Sequence, residues 1–233
     1  MERIELIDYL KGYAIILVVL GHVIVFSNPT EFTQSQLFTF VYSFHMPLLL
    51  FLSGYLVCQK PIGSKIEFIF KKCKGLILPY LTWLFISILI ANSFVFDNTV
   101  INYMISHLIV YDNIWFLPVL FISFIILLAY IACNNFLKPY KLGFAALMTF
   151  GVMYLIAWSV EPPVQGLYLI RWFSPFVLIG YIVAENKSYV LKKPLFPLAA
   201  ITFALLLSSW NKYVIYFSNA NCYDLVVDFI LAL

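Results

Sequence analysis

Apolar runs long enough to cross a bilayer recur along this chain, and no other feature restricts its fold as much. A spanning helix needs about 20 mostly apolar residues. Segments 10–27, 37–57, 76–95, 114–133, 143–160, 167–184 and 195–211 meet that need, and an eighth begins near Tyr223. The 233 residues are 64% hydrophobic and 11% charged, against about a quarter charged in a soluble domain. So few charges cannot cover a globule, which excludes a soluble fold. The expectation is an all-α, polytopic transmembrane bundle of seven full spans plus the start of an eighth, a single membrane domain over 1–233. Arg3, Asp8 and Lys11 lead into the first run with no small-residue cleavage site behind it, so that run is read as a retained helix rather than a signal peptide.

Charge alternates between successive connections. Arg3 and Lys11 precede the first span. Lys60, Lys65, Lys71, Lys72 and Lys74 follow the second, Lys138 and Lys141 the fourth, and Lys187, Lys192 and Lys193 the sixth. That puts 12 of the 14 basic residues on one side, leaving Arg171 and Lys212 on the other. The positive-inside rule makes the N-terminus cytoplasmic. Glu31, Asp97, Asp112 and Glu161 then face outward. The chain stops inside the apolar run Asp228–Leu233, which leads to the expectation of a C-terminally truncated protein. Cys58, Cys73, Cys133 and Cys222 have no metal or redox spacing and read as small hydrophobes.

Two histidines lie within spans, where a charged group costs about 2 to 4 kcal/mol to insert. His22 closes the run Lys11–His22. Eleven helical steps separate its ends, which therefore share a face within roughly 20°, about 16 Å apart. Asp8, Lys11, Ile15, Val18 and His22 form one stripe at spacings of three and four. Polar groups at both ends of such a stripe predict that it faces the bundle interior, with Asp8 and Lys11 able to pair. His45 lies in Tyr42-Ser43-Phe44-His45-Met46-Pro47. Pro47 removes a helical donor, so the helix either kinks there or begins there. His22 and His45 sit at similar counts from the outer ends of their spans and are expected at similar depth. Ser53 and Gly54 follow on the same span and permit close helix contact.

The segment from Lys65 to Lys74 is basic and partly amphipathic. It serves topology and anionic-lipid attraction, or it docks a phosphate-bearing cofactor through its ammonium groups. Trp115 opens the fourth span, where aromatic belts are routine. Arg171 opens the sixth beside Trp172 and either snorkels to the interface or meets an anionic group. His107 falls in an outer connection. No glycine-rich phosphate loop, metal-ligand cluster or serine-nucleophile motif occurs, and no nucleic-acid partner is expected.

In order along the chain stand Arg3-x4-Asp8, Lys11-x10-His22, the Tyr42–Pro47 motif, Phe51-Leu-Ser53-Gly54-Tyr55, Leu78-Pro79-Tyr80, Trp115-Phe-Leu-Pro118 and Pro175-Phe-x-x-x-Gly180-Tyr181. Together they resemble the acyltransferase-3 family of integral membrane O-acyltransferases, nearest its fucose 4-O-acetylase-like branch. The resemblance implies a bundle of about ten helices, acetyl-CoA as donor on the cytoplasmic side and a carbohydrate hydroxyl as acceptor. It also implies that Lys11 and His22 are essential. The family often carries Arg-x-x-Arg before Leu-Pro-Tyr, and those positions here are Lys72 and Gly75.

With that resemblance, the expected reaction is transfer of an acetyl or other short acyl group to a cell-surface polysaccharide or its precursor. Desolvation favours a neutral imidazole, which suits His22 as general base. Asp8 pairs with Lys11 at the cytoplasmic entrance. Lys65, Lys71, Lys72 and Lys74 hold the phosphates of the acyl-CoA. His45, or backbone freed near Pro47, stabilises the oxyanion or positions the acceptor. Trp115 and Arg171 are candidate acceptor contacts, and no metal is called for. The rival reading is a proton-linked or polysaccharide transporter without acyl transfer, since intramembrane histidines and a proline break suit that too.

Overall fold

The computed structural model describes residues 5–27, 31–32, 35–59, 62–91, 98, 101–102, 114–136, 151 and 167–187. Among them all regular structure is helical. Four helices, Glu5–Ser27, Gln36–Cys58, Lys65–Ile90 and Phe116–Phe136, are long and apolar enough to cross a membrane. They coincide with the first four predicted spans, and a helix over Leu167–Glu185 coincides with the sixth. The predicted span 195–211 and the start near Tyr223 lie outside the described residues, as do His107 and Cys222. The span 143–160 is described only at Gly151. The chain divides into two compact units, residues 1–60 with 176–233, and residues 61–175.

In the first unit, helix α1 (Glu5–Ser27) packs on helix α2 (Gln36–Cys58). The Ser35 hydroxyl caps α2 by accepting from the Phe38 N–H at 3.2 Å, satisfying a donor the helix itself cannot pair. Gly21 meets Tyr42, and the two lie equally far from the short connection between the helices, so α1 and α2 run antiparallel. The buried seam of α1 is Ile7, Ala14, Leu17 and Gly21. Small residues at its centre let the backbones approach.

Helix α2 buries two opposite stripes, as about 100° per residue requires. Phe38, Val41, His45 and Leu52 lie on one side, with Tyr42 beside them. Ser43, Pro47, Leu50 and Gly54 lie on the other. The first stripe faces α1. The second meets the C-terminal stretch of the helix over Leu167–Glu185. A Cβ on Gly54 would fall on the Val177 carbonyl oxygen, and one on Gly180 on the Phe51 carbonyl oxygen. Backbone therefore touches backbone there, the close contact expected from Ser53-Gly54.

In the second unit, helix α3 (Lys65–Lys72) runs through a π-helical turn (Cys73–Ile77) into α4 (Leu78–Ala91). The predicted third span, 76–95, is thus the later part of a longer helix that takes in the basic connector. Pro79 explains the turn. It has no N–H to donate, and the ladder shifts register just before it, with Leu78 N–H reaching back to Cys73 O. Ser64 caps α3 by accepting from Glu67 N–H at 3.4 Å. Tyr80, Leu84 and Ile88 of α4 form a buried cluster with Leu81, Ile114 and Leu117. Helix α5 (Phe116–Phe136) packs on α3 and the π turn. The last described helix, α6, is Leu167–Glu185.

Candidate functional site

Polar side chains in these apolar helices mostly spend their donors on their own backbone. The hydroxyls of Ser43, Ser53 and Ser123 donate to the carbonyls of Phe40, Leu49 and Val119, each at 2.7 Å. The Ser174 hydroxyl departs from this, buried with no hydrogen-bond partner among the described residues. Self-satisfaction of this kind is how a helix keeps hydroxyls inside a bilayer.

His45 follows the same rule with a consequence for its chemistry. Its Nδ1 lies 2.6 Å from the Val41 carbonyl one turn back, and the residue is 3% exposed. A carbonyl only accepts, so Nδ1 carries the proton and donates. The Tyr42 ring meets the imidazole edge-on with centroids 4.9 Å apart, and Phe38 lies 4.0 Å from Tyr42 in turn. Helix α2 runs unbroken through Pro47, so of the two outcomes the sequence left open, a new start there does not occur.

His22 lies on α1 beside Gly21, and a Cβ on Gly21 would stand 2.7 Å from Cε2 of Tyr42. The ring that fills the glycine notch is therefore the ring that flanks His45. Counting along the antiparallel pair from the Gly21–Tyr42 contact sets His22 and His45 about one helical turn apart. His22 is exposed, and it stacks on Phe26 one turn on at 6.2 Å.

The stripe expected to face inward is not the buried one. Asp8, Ile15 and His22 are exposed, while Lys11 and Val18 are half-buried. On a 100° wheel this stripe lies roughly 90° round from the seam of Ile7, Ala14, Leu17 and Gly21. Small residues won the contact with α2, and the polar stripe flanks the seam rather than filling it. His22 consequently stands at the edge of the seam that holds His45.

The basic segment is also resolved residue by residue. Lys65, Lys71 and Lys74 are exposed, whereas Lys72 is half-buried. Its Nζ lies 4.0 Å from the Phe124 ring centroid and 5.3 Å from that of Phe68. These rings meet edge-on at 5.9 Å, so a cation over their faces joins α3 to α5. Gly75, where the family's second arginine is expected, sits in the π turn with open space around it. Trp115 stacks on Phe173 of α6 at 4.7 Å and 26°. Arg171 lies two residues before Phe173 on that helix, and its side chain is outside the described residues. Cys58, Cys73 and Cys133 carry free thiols, and no three potential metal ligands group among the described residues.

Gly21, Tyr42, Phe173, Phe68 and Phe124 were given no role from sequence. Tyr42 was within reach of sequence reasoning, because it lies three residues before His45 on one helix face. Gly21 had the weaker signal of a small residue beside His22. Nothing in the sequence pairs Phe68 with Phe124 or Trp115 with Phe173.

A family model described as an acyltransferase domain matches residues 4–233. Two relatives are both called nodulation protein NolL. One, from Sinorhizobium fredii (strain NBRC 101917 / NGR234), is 29% identical over 189 residues, covering 77% of this chain and 48% of the relative. The other, from Mesorhizobium japonicum (strain LMG 29417 / CECT 9101 / MAFF 303099), is 26% identical over 187 residues, covering 76% of this chain and 47% of the relative. The chain thus spans about half the length of these relatives. No solved structure matches it. With the model running from residue 4 to 233, the chain belongs to the acyltransferase-3 family of membrane O-acyltransferases.

Proposed function

We propose that this chain works in a membrane O-acyltransferase that moves an acetyl or other short acyl group from acyl-CoA to a carbohydrate hydroxyl. The acceptor is a cell-surface polysaccharide or its precursor, made at a bacterial cell membrane. The observation that supports the reading is the contact of Gly21 with Tyr42, which sets His22 and His45 about one helical turn apart along the α1–α2 pair, in a chain matched along its length by an acyltransferase model.

In this reaction the sugar oxygen bonds to the acyl carbon, the carbon–sulfur bond of the thioester breaks, and CoA leaves as its thiolate. His22 takes the hydroxyl proton as the oxygen attacks and returns it to the leaving sulfur. A base that must meet two incoming molecules has to be reachable, and His22 is exposed. Lys11 and Asp8 lie on the His22 stripe and shape its approach. The acyl-CoA phosphates go first to Lys71 and Lys74, then Lys65, because Lys72 is held over aromatic rings. Trp115 and Arg171 are assigned to the acceptor. The bundle of seven spans with a cytoplasmic N-terminus, forming one domain over 1–233, belongs to this same reading.

Membranes carrying the full-length gene product are given acetyl-CoA labelled in the acetyl group, together with glycan from the same cells. Label should move to the glycan, and His22→Ala should cut the rate at least a hundredfold with unchanged protein abundance, the scale of a lost general base. Label that stays in acetyl-CoA, while the glycan crosses the membrane, would instead identify a transporter.

A further inference from the structure

The hydrogen bond from His45 decides which kind of ligand group it can meet. Val41 O takes the Nδ1 proton. A neutral imidazole has one N–H, so its Nε2 then bears only a lone pair. The ring stays neutral because it is buried in mid-span and α2 carries no acidic residue to balance an imidazolium. An oxyanion needs a donor, and this ring has none left. Of the two roles open to His45 from sequence, oxyanion stabiliser and acceptor-positioning group, only the second fits.

We propose that His45 Nε2 accepts a hydrogen bond from a hydroxyl of the incoming sugar adjacent to the one that His22 deprotonates. This rests on the acyltransferase reading above and narrows its substrate. Two imidazoles on adjoining helices, one at the seam edge and one within it, both present acceptors. They read two donors on one molecule, as the neighbouring free hydroxyls of a pyranose provide. An acceptor sugar whose adjacent hydroxyl is already substituted is excluded, because Nε2 would face an ether or ester oxygen. The oxyanion is stabilised elsewhere.

Two readouts test this on the full chain reconstituted in bilayers. In the first, histidine nitrogens are labelled with 15N, and the spectrum of His45→Asn assigns one of only three histidines. The neutral His45 ring should show a protonated Nδ1 and a bare Nε2. In the second, the acceptor is de-O-acylated glycan from the same cells. His45→Asn keeps an amide where Nδ1 stood and removes the acceptor at Nε2, while His45→Gln restores an acceptor near Nε2. His45→Asn should raise KM for glycan about tenfold, as loss of one hydrogen bond does, and leave KM for acetyl-CoA unchanged. His45→Gln should recover most of that loss. A proton on Nε2, or a wild-type glycan KM in His45→Asn, overturns the assignment while leaving the enzyme intact. Wild-type protein that moves no label removes the acyltransferase reading, and the substrate assignment falls with it.

Discussion

Gly21 leaves a notch that the Tyr42 ring fills, and that ring borders His45. Alanine at 21 would gain up to about 1 kcal/mol of helix propensity. It would also place a methyl 2.7 Å from the ring, forcing Tyr42 off its rotamer at a cost of about 1 to 3 kcal/mol. The expected outcome for Gly21→Ala is a lower melting temperature in detergent and a transfer rate reduced several-fold, with the rate falling more than the stability. A rate that held while the protein lost stability would separate Tyr42 from the site. At this scale the sequence was informative about the histidines, because an imidazole in an apolar run is costly enough to stand out. It was silent about their neighbours. Glycine and tyrosine in a membrane helix are ordinary, and only the fit of one against the other marks them.

Helix α2 is held from both sides, by side chains toward α1 and by bare backbone toward α6. The second contact has no flexible atom to yield. Gly54→Ala or Gly180→Ala must therefore part the helices, and each should cost about 3 kcal/mol or more. Thermal unfolding and membrane abundance will read this, and two alanine variants as stable as wild type would exclude the contact. Helix positions were legible from hydrophobic length alone, as Glu5–Ser27 and Gln36–Cys58 against 10–27 and 37–57 illustrate. Helix ends and facing were less so. The lysines after residue 60 read as a connector, yet helical hydrogen bonding continues through them from Lys65, since a spanning helix need not stop where the hydrocarbon does. The stripe ending at His22 read as interior because it is polar, but periodicity defines a stripe without naming its partner. Ala14 and Gly21 offered α2 the closer approach.

For the whole molecule, the distribution of lysines and arginines sets an expected orientation that fusions can read. A reporter that fluoresces only in the cytoplasm should be bright when joined after Gln59 and dark when joined after Asn113. The reverse pattern would invert the direction from which acyl-CoA and sugar approach. Among described residues, the exposed flank of α1 is apolar, with Leu6, Tyr9, Ile16, Val19 and Val23 all outward, as a lipid-facing surface requires. Within the first unit, α2 and α6 meet without side chains between them, so neither can slide or tilt independently of the other. Helix α1 meets α2 through side chains that can rotate. Accommodation of a bulky guest beside the imidazoles accordingly falls to the rotatable side chains of the α1–α2 seam rather than to the crossing fixed by two glycines.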